Sequence, residues 1–209
     1  MQITKIERAK KRTPAYHIYS DDTLLFTISE ETLIHFRLSK GVELSERDLQ
    51  TIYEYDQIQW CFLQAVRYLS RRGHFELELK QKLHHKGYAP EIIDQTIQQL
   101  RQKKLLDDEH LMVQFVHDGI HLRKYGPLLL AKKLMAKGVP SDQIRTYLQE
   151  AYPQDKQMQI AAELFRKKQA TLPDKLSLQQ RRQKLSAFLQ QRGFGWDVIR
   201  PLLDELPND

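Results

Sequence analysis

The fold of this 209-residue chain is decided by residues 76–100, which read ELELKQKLHHKGYAPEIIDQTIQQL. Two leucines four residues apart share one helix face, a glycine follows where a helix stops, and a proline then opens the next helix. The pattern begins with Leu79, Leu83, Gly87, Ile93 and Ile97. It returns 51 residues later as Leu130, Leu134, Gly138, Ile144 and Leu148, and after 55 more as Leu185, Leu189, Gly193, Ile199 and Leu203.

A period of this length is typical of stacked repeats, in which each unit buries its apolar stripe against a neighbour. The sequence therefore predicts a mainly α fold of tandem three-helix repeats in an elongated, curved array, with a small antiparallel β element at the N-terminus. The predicted parts are a β-hairpin and helix module at 1–58 and repeats at 59–107, 108–154 and 155–209. Such an array offers a binding surface and not a catalytic cavity.

The N-terminal residues read as strands because β-branched and aromatic residues alternate with polar ones between turn residues. The predicted strands cover residues 3–8, 15–19 and 23–28. Ser29 is placed to cap a short helix that ends at residue 38. Ser45 and Asp48 resemble a capping box, which opens a long helix over residues 46–71 that joins this module to the first repeat.

Composition limits where the protein works. The mean hydropathy is −0.60, and the chain has no run of about 18 apolar residues, so no membrane span is predicted. No signal peptide is predicted either, because the N-terminal residues MQITK lack its apolar core. Cys61 is the single cysteine, which fits a reducing compartment, and its apolar helical setting indicates a buried, inert thiol. We therefore expect a cytoplasmic monomer without a membrane partner.

Positive charge is concentrated in the repeats. Residues 1–64 carry 8 basic and 10 acidic side chains, whereas residues 65–209 carry 25 basic and 17 acidic ones. This excess favours an anionic partner, nucleic acid being the first candidate, although lysine-rich helices are also common as solvated surfaces.

The candidate contacts to DNA or to an acidic protein surface are cations beside the apolar stripe or near helix ends. They are Arg71, Arg72, Lys80, Lys82, Lys103, Lys104, Arg123, Lys124, Lys132 and Lys133. Lys86, Lys137 and Arg192 precede the three helix-stopping glycines, and we interpret them as partners of the last carbonyls of their own helices. Because aromatic residues are few among these cations, binding would be electrostatic and independent of base sequence.

No catalytic residue, cofactor or metal is predicted. The chain contains no P-loop motif, so nucleotide hydrolysis would belong to a partner. His117 and His121 stand four apart, as zinc ligands can, and His84, His85 and His110 are near in sequence. Because no H-E-x-x-H pattern or cysteine pair accompanies them, we interpret these histidines as helix-surface residues.

The order and spacing of several short motifs over residues 60–206 resemble those of the bacterial RecX family. These motifs are AVRYLSRR at 65–72, Glu78-Leu79-Lys80, Lys86-Gly87-Tyr88, LDDE at 106–109, Gly126-Pro127 and Lys137-Gly138. The strand module resembles the extension of low-GC Gram-positive members. The third repeat departs most, with Arg192-Gly193 for Lys-Gly and Phe188 where Lys82 and Lys133 stand in the other repeats.

This resemblance implies a regulator of the RecA recombinase in recombinational repair and the SOS response. Family members bind RecA–DNA filaments along the helical groove and suppress strand exchange, ATP hydrolysis and coprotease activity, and some bind DNA directly. The implied partners are the RecA filament and single-stranded DNA, with double-stranded DNA left open. The alternatives are a helical-repeat nucleic-acid or adaptor protein that acts without RecA, and an enzyme whose site the sequence does not reveal.

Overall fold

The structure is a computed structural model that describes residues 1–10 and 14–207. The strands are β1 (Lys5–Arg8), β2 (Ala15–Ser20) and β3 (Thr23–Ser29). The helices are α1 (Glu30–His35), α2 (Glu46–Leu69), α3 (Glu76–His84), α4 (Pro90–Gln102), α5 (Asp108–His121), α6 (Pro127–Met135), α7 (Ser141–Ala151), α8 (Gln154–Gln169), α9 (Leu178–Arg192) and α10 (Trp196–Asp204). The predicted class, mainly helical with a small antiparallel sheet, is confirmed. The chain forms two compact units, residues 1–107 and 108–209.

In the first unit, the three strands form an antiparallel sheet in the order β1-β2-β3. The core of this module consists of Ile3, Ile18, Ile28, Leu38, Leu44 and Ile52. The Ser29 hydroxyl accepts a hydrogen bond from the Thr32 N–H, so this residue caps α1 as predicted. The helix ends at His35 and not at residue 38, because Arg37 adopts a left-handed φ of 50°.

Helix α2 links the strand module to the first repeat without a break. The predicted capping box is confirmed: the Ser45 hydroxyl accepts from the Asp48 N–H, and the Asp48 carboxylate accepts from the Ser45 N–H. The helix ends at Leu69, two residues before its predicted end, and it runs through the proposed boundary between residues 58 and 59. Its first half contributes Ile52 to the strand-module core and its second half contributes Cys61 to the repeat core.

The first repeat consists of the second half of α2 with α3 and α4. Its core contains Cys61, Ala65, Leu79, Leu83, Ile93, Ile97, Leu100 and Leu106. The stripe leucines and isoleucines are therefore buried as the pattern predicts. Cys61 is fully buried too, and burial raises the pKa of its thiol, which fits an inert side chain.

The second unit contains the other two repeats, α5–α7 and α8–α10. Their stripe residues are all buried: Leu130, Leu134, Ile144, Leu148, Leu185, Leu189, Ile199 and Leu203. Gly87, Gly138 and Gly193 follow the middle helices of the three repeats with φ of 90°, 88° and 89°. Only glycine takes this left-handed conformation without strain, which explains why it recurs at this point of each repeat.

Candidate functional site

In the first repeat, Lys80 lies between two carboxylates of its own unit. Its Nζ is 2.8 Å from Asp94 Oδ1 and 3.3 Å from Glu76 Oε1. The hydrogen bond with Asp94 is the main cause that raises the pKa of Lys80. Arg101 also forms an ion pair with Glu76. The charge of Lys80 is therefore compensated within the repeat.

Glu78 is similarly contacted by neighbouring basic side chains of the first repeat. Arg72 Nη1 lies 3.2 Å and His74 Nδ1 lies 3.0 Å from its carboxylate, and Lys82 Nζ lies 3.9 Å away. Burial alone would raise the pKa of Glu78, but hydrogen bonding with Arg72 and His74 outweighs it and lowers the pKa. Lys82 also sits 5.3 Å from the centre of the Tyr68 ring. Two more predicted contacts, Arg72 and Lys82, are thus engaged with an acid.

The other three predicted residues of the first unit lie at helix ends and are exposed: Arg71, Lys103 and Lys104. Lys103 Nζ is 5.8 Å from the centre of the Phe62 ring, which holds it over an aromatic face. Lys104 follows α4 with a left-handed φ of 54°, so it ends that helix without a glycine. No ion pair with a carboxylate is recorded for these three in the described chain.

In the second unit, cations gather around one tyrosine. We call Arg123, Tyr125, Lys133 and Arg192 the Tyr125 cluster. Lys133 Nζ is 5.3 Å from the centre of the Tyr125 ring, and Arg192 Nη1 donates to the Arg123 carbonyl at 3.0 Å. The hydrogen bond with Arg123 lowers the pKa of the Tyr125 hydroxyl, and the charges of Lys133 and Arg192 act in the same direction. Within the described residues, none of the three cations forms an ion pair with a carboxylate.

A close backbone contact brings these residues together from different repeats. The Gly126 N–H donates to the Arg192 carbonyl at 2.7 Å, and the Leu128 N–H donates to the Gly193 carbonyl at 3.0 Å. A Cβ at Gly126 would lie 2.3 Å from the Gly193 oxygen, so only glycine permits this approach. The contact places Arg192, at the end of α9, beside the turn before α6.

Phe188 of α9 links the Tyr125 cluster to a further cation, Lys168; we call the cluster together with Phe188 and Lys168 the cationic surface. The Arg192 guanidinium carbon is 5.5 Å and Lys168 Nζ is 5.7 Å from the centre of its ring. Phe188 stands where Lys82 and Lys133 stand in the other repeats. In the third repeat the lysine of this position is thus replaced by an aromatic ring, which contacts Lys168 of α8 and Arg192 of α9.

The remaining predicted residues of the second unit differ in their surroundings. Lys124 Nζ lies 3.5 Å from Glu163 Oε2, and Lys167 Nζ lies 2.8 Å from the other oxygen of that carboxylate. Lys132 is exposed on α6. The structure therefore brings Arg123 and Lys133 together at Tyr125 and pairs Lys124 with Glu163. Lys132 is adjacent to Lys133 in sequence and is exposed to solvent.

Sequence reasoning missed Arg192 and Lys168 as members of this surface. Its place before Gly193 predicts that Arg192 interacts with the end of its own helix, but the Arg192 side chain donates to the Arg123 carbonyl, which follows α5. The available signal was the stretch 119–141, which holds five lysines and arginines and no acid, and Arg192 packs against it. Cations that form no ion pair with a carboxylate and lie close to one another can neutralise an anion such as a phosphate backbone.

The described residues form neither a metal site nor a membrane-spanning helix. In the part of the chain that the structure describes, no group of three or more His, Cys, Asp or Glu side chains is arranged to hold a metal ion. The rings of His117 and His121 lie 4.5 Å apart between their centres, and both side chains are on the surface. None of the helices described above has the length and apolar character that crossing a membrane requires.

Family models match this chain along most of its length. The N-terminal domain of regulatory protein RecX matches residues 1–45, and the first, second and third three-helix domains of RecX match residues 61–100, 107–148 and 155–203. Regulatory protein RecX from Bacillus cytotoxicus is 33% identical over 211 residues, which covers 99% of this chain and 77% of the relative. Its counterpart from Bacillus thuringiensis is 31% identical with the same coverage.

Solved structures show the same similarity. A crystal structure of a regulatory protein RecX superposes with a TM-score of 0.82 at 29% identity, over 98% of this chain and 100% of that one. The crystal structure of RecX from Lactobacillus salivarius superposes with a TM-score of 0.64 at 23% identity, over 73% of this chain and 97% of that one, which is a likeness of fold.

Proposed function

This chain belongs to the RecX family of regulatory proteins, and from that membership we propose that it binds RecA filaments on DNA and inhibits or modulates the recombinase. The regulated activities would be strand exchange, ATP hydrolysis and coprotease function in recombinational repair and the SOS response. The chain would act by binding and not by catalysis, in the cytoplasm where its partner works. Family membership carries the RecA part of this proposal, and the Tyr125 cluster is the observation that supports its DNA-binding part.

The cluster supports the DNA part of the proposal through its charge. Arg123, Lys133 and Arg192 form no ion pair with a carboxylate among the described residues, so a phosphate backbone could neutralise them without first breaking one. Lys80 and Arg72, by contrast, would have to leave their carboxylates. We therefore assign the main DNA contact to the Tyr125 cluster, whose three cations lie together, and a lesser one to Arg71, Lys103 and Lys104, which are exposed at helix ends of the first unit.

The ring contacts support binding that does not depend on base sequence. Lys133 and Arg192 are held over Tyr125 and Phe188, which fixes their positions with little loss of freedom on binding. Contacts to phosphates position a protein on DNA and carry no base information directly. Single-stranded DNA within a filament and bare DNA would both be accepted, and specificity would come from RecA.

The test is a RecA strand-exchange assay with this protein titrated in. The wild type should inhibit, and Lys133→Glu with Arg192→Glu should require at least about tenfold more protein. A charge-matched control is Lys175→Glu with Arg200→Glu, since both residues are exposed in the same unit and contact neither Tyr125 nor Phe188. This control should inhibit like the wild type.

Two outcomes would contradict the proposal. If the wild type binds single-stranded DNA but does not inhibit strand exchange or bind RecA filaments, the chain is a nucleic-acid adaptor that acts without RecA. If both charge-reversed proteins lose inhibition equally, net charge and not the Tyr125 cluster determines the effect.

A further inference from the structure

The outer edge of β3 carries main-chain groups that point away from the sheet. The Ser29 N–H donates to Asp56 Oδ1 at 2.8 Å, so it does not pair with Ala15, which lies opposite it on β2. Residues of an antiparallel strand point alternately toward and away from the partner strand. The N–H and C=O of Thr27, opposite His17, must therefore also point outward.

From Leu25 to Thr27, this edge pairs with no further strand in the described structure. Leu25, Phe26 and Thr27 make no backbone hydrogen bond outside their pairing with β2. Proteins usually protect free edges with charged side chains, as β1 does with Lys5 and Glu7. Strand β3 reads TLLFTIS and has no charge at all. An edge left in this state is suited to pair with another strand.

A groove runs beside the free edge, with α2 as its opposite wall. The groove has a volume of about 560 Å³ and is lined by apolar and aromatic side chains that include Leu25, Phe26, Leu49, Tyr53 and Trp60. Trp60 is fixed there because its Nε1 donates to Asp56 Oδ2 at 2.8 Å.

The acidic side chains of the groove favour a basic partner segment. Its lining contains Glu46 and Asp56 and no lysine or arginine. The sequence of residues 1–64 has a net charge of −2. We propose that this groove binds an extended, basic segment of a partner protein, which adds to β3 as a further strand. Main-chain bonds to Thr27 would give affinity, alternate apolar side chains would fill the groove, and a lysine or arginine would face Glu46.

The probes are synthetic hexapeptides titrated against the full chain while amide resonances are followed by NMR. Val-Lys-Val-Lys-Val-Lys should bind, shift the Thr27 amide and slow its hydrogen exchange. Val-Glu-Val-Glu-Val-Glu should bind at least about tenfold more weakly because the groove is acidic. The lysine peptide N-methylated at every amide should not bind, since it has no donors for the edge.

A pair of variants on α2 locates the site. Tyr53→Arg places a cation on the groove wall at a residue that is 55% exposed, so the variant should fold and bind the lysine peptide at least about tenfold more weakly. Thr51→Arg adds the same charge to an exposed residue of α2 outside the groove lining and should bind like the wild type.

The proposal is overturned if the lysine peptide does not bind at about 1 mM, if both variants bind it equally, or if the Thr27 amide does not respond. It is also overturned if Thr27 shifts with protein concentration alone while sedimentation shows a dimer, because a second copy would then fill the groove. The inference is independent of the DNA-binding proposal, since the Tyr125 cluster belongs to the other unit.

Discussion

Replacing Lys133 and Arg192 together by glutamine should weaken the salt dependence of binding to single-stranded DNA. Each neutralised phosphate contributes a slope of about −0.7 to the log–log plot of affinity against salt. Three contacts from Arg123, Lys133 and Arg192 therefore give about −2.1, and the single contact left in the variant gives about −0.7. The expected change in slope is about 1.4.

The difference is large enough to measure by fluorescence anisotropy with a labelled oligo(dT). Between about 50 and 200 mM salt, the cluster should cost the wild type about 20-fold in affinity and the variant about 3-fold. Lys175→Gln with Arg200→Gln removes the same charge elsewhere in the unit and should keep the wild-type slope. Circular dichroism should show the same helix content in all three proteins. A slope that is unchanged in the Lys133 and Arg192 variant would refute the assignment of phosphate contacts to the cluster.

Three further predictions concern the stability of the fold. Leu134→Ala should lower the free energy of unfolding by about 2–5 kcal/mol because Leu134 is fully buried. The control Leu128→Ala changes a residue that is 61% exposed and should alter this free energy by less than about 0.5 kcal/mol. Equal losses of the two variants in urea unfolding would mean that the repeat alignment is wrong. Gly126→Ala should lower the free energy of unfolding by about 1–3 kcal/mol, and hence the melting temperature, because the added Cβ would lie 2.3 Å from the Gly193 oxygen. An unchanged melting temperature would contradict this contact. Burial lowers the pKa of His74 below its ordinary 6.5, so on acidification the unfolded chain takes up a proton before the folded chain does. The free energy of unfolding should therefore fall as the pH drops below about 6.5. His74→Gln should remove this part of the pH dependence, and an unaltered plot of stability against pH would count against it.

Much of the fold was predictable because the repeat signals act locally. A glycine that must adopt positive φ, such as Gly87, and a proline at the first position of a helix, such as Pro90, mark helix ends by their own chemistry. The end of α1 was not predictable in this way. Arg37 adopts the left-handed conformation without the glycine that normally signals it.

The cationic surface was predictable only as a set of candidates. Sequence shows that Lys80 and Lys133 are both cations near an apolar stripe, but not that Asp94 of the next helix pairs with Lys80. Arg192 and Arg123 are 69 residues apart, and only the close approach of two backbone segments brings them together. Which charges are free for a partner therefore depends on tertiary contacts that a pattern of residue types does not contain.

Regulation of a RecA filament predicts that two salt dependences of the same protein will differ. Affinity for bare oligo(dT) and inhibition of RecA strand exchange are measured for the wild type over the same salt series. Filament binding should include contacts with RecA whose fit is geometric and less sensitive to salt than phosphate neutralisation. We predict that inhibition persists at salt concentrations at which binding to bare DNA is lost. If the two activities fall in parallel at every salt concentration, competition for DNA alone explains the inhibition, and a specific RecA-filament site is contradicted.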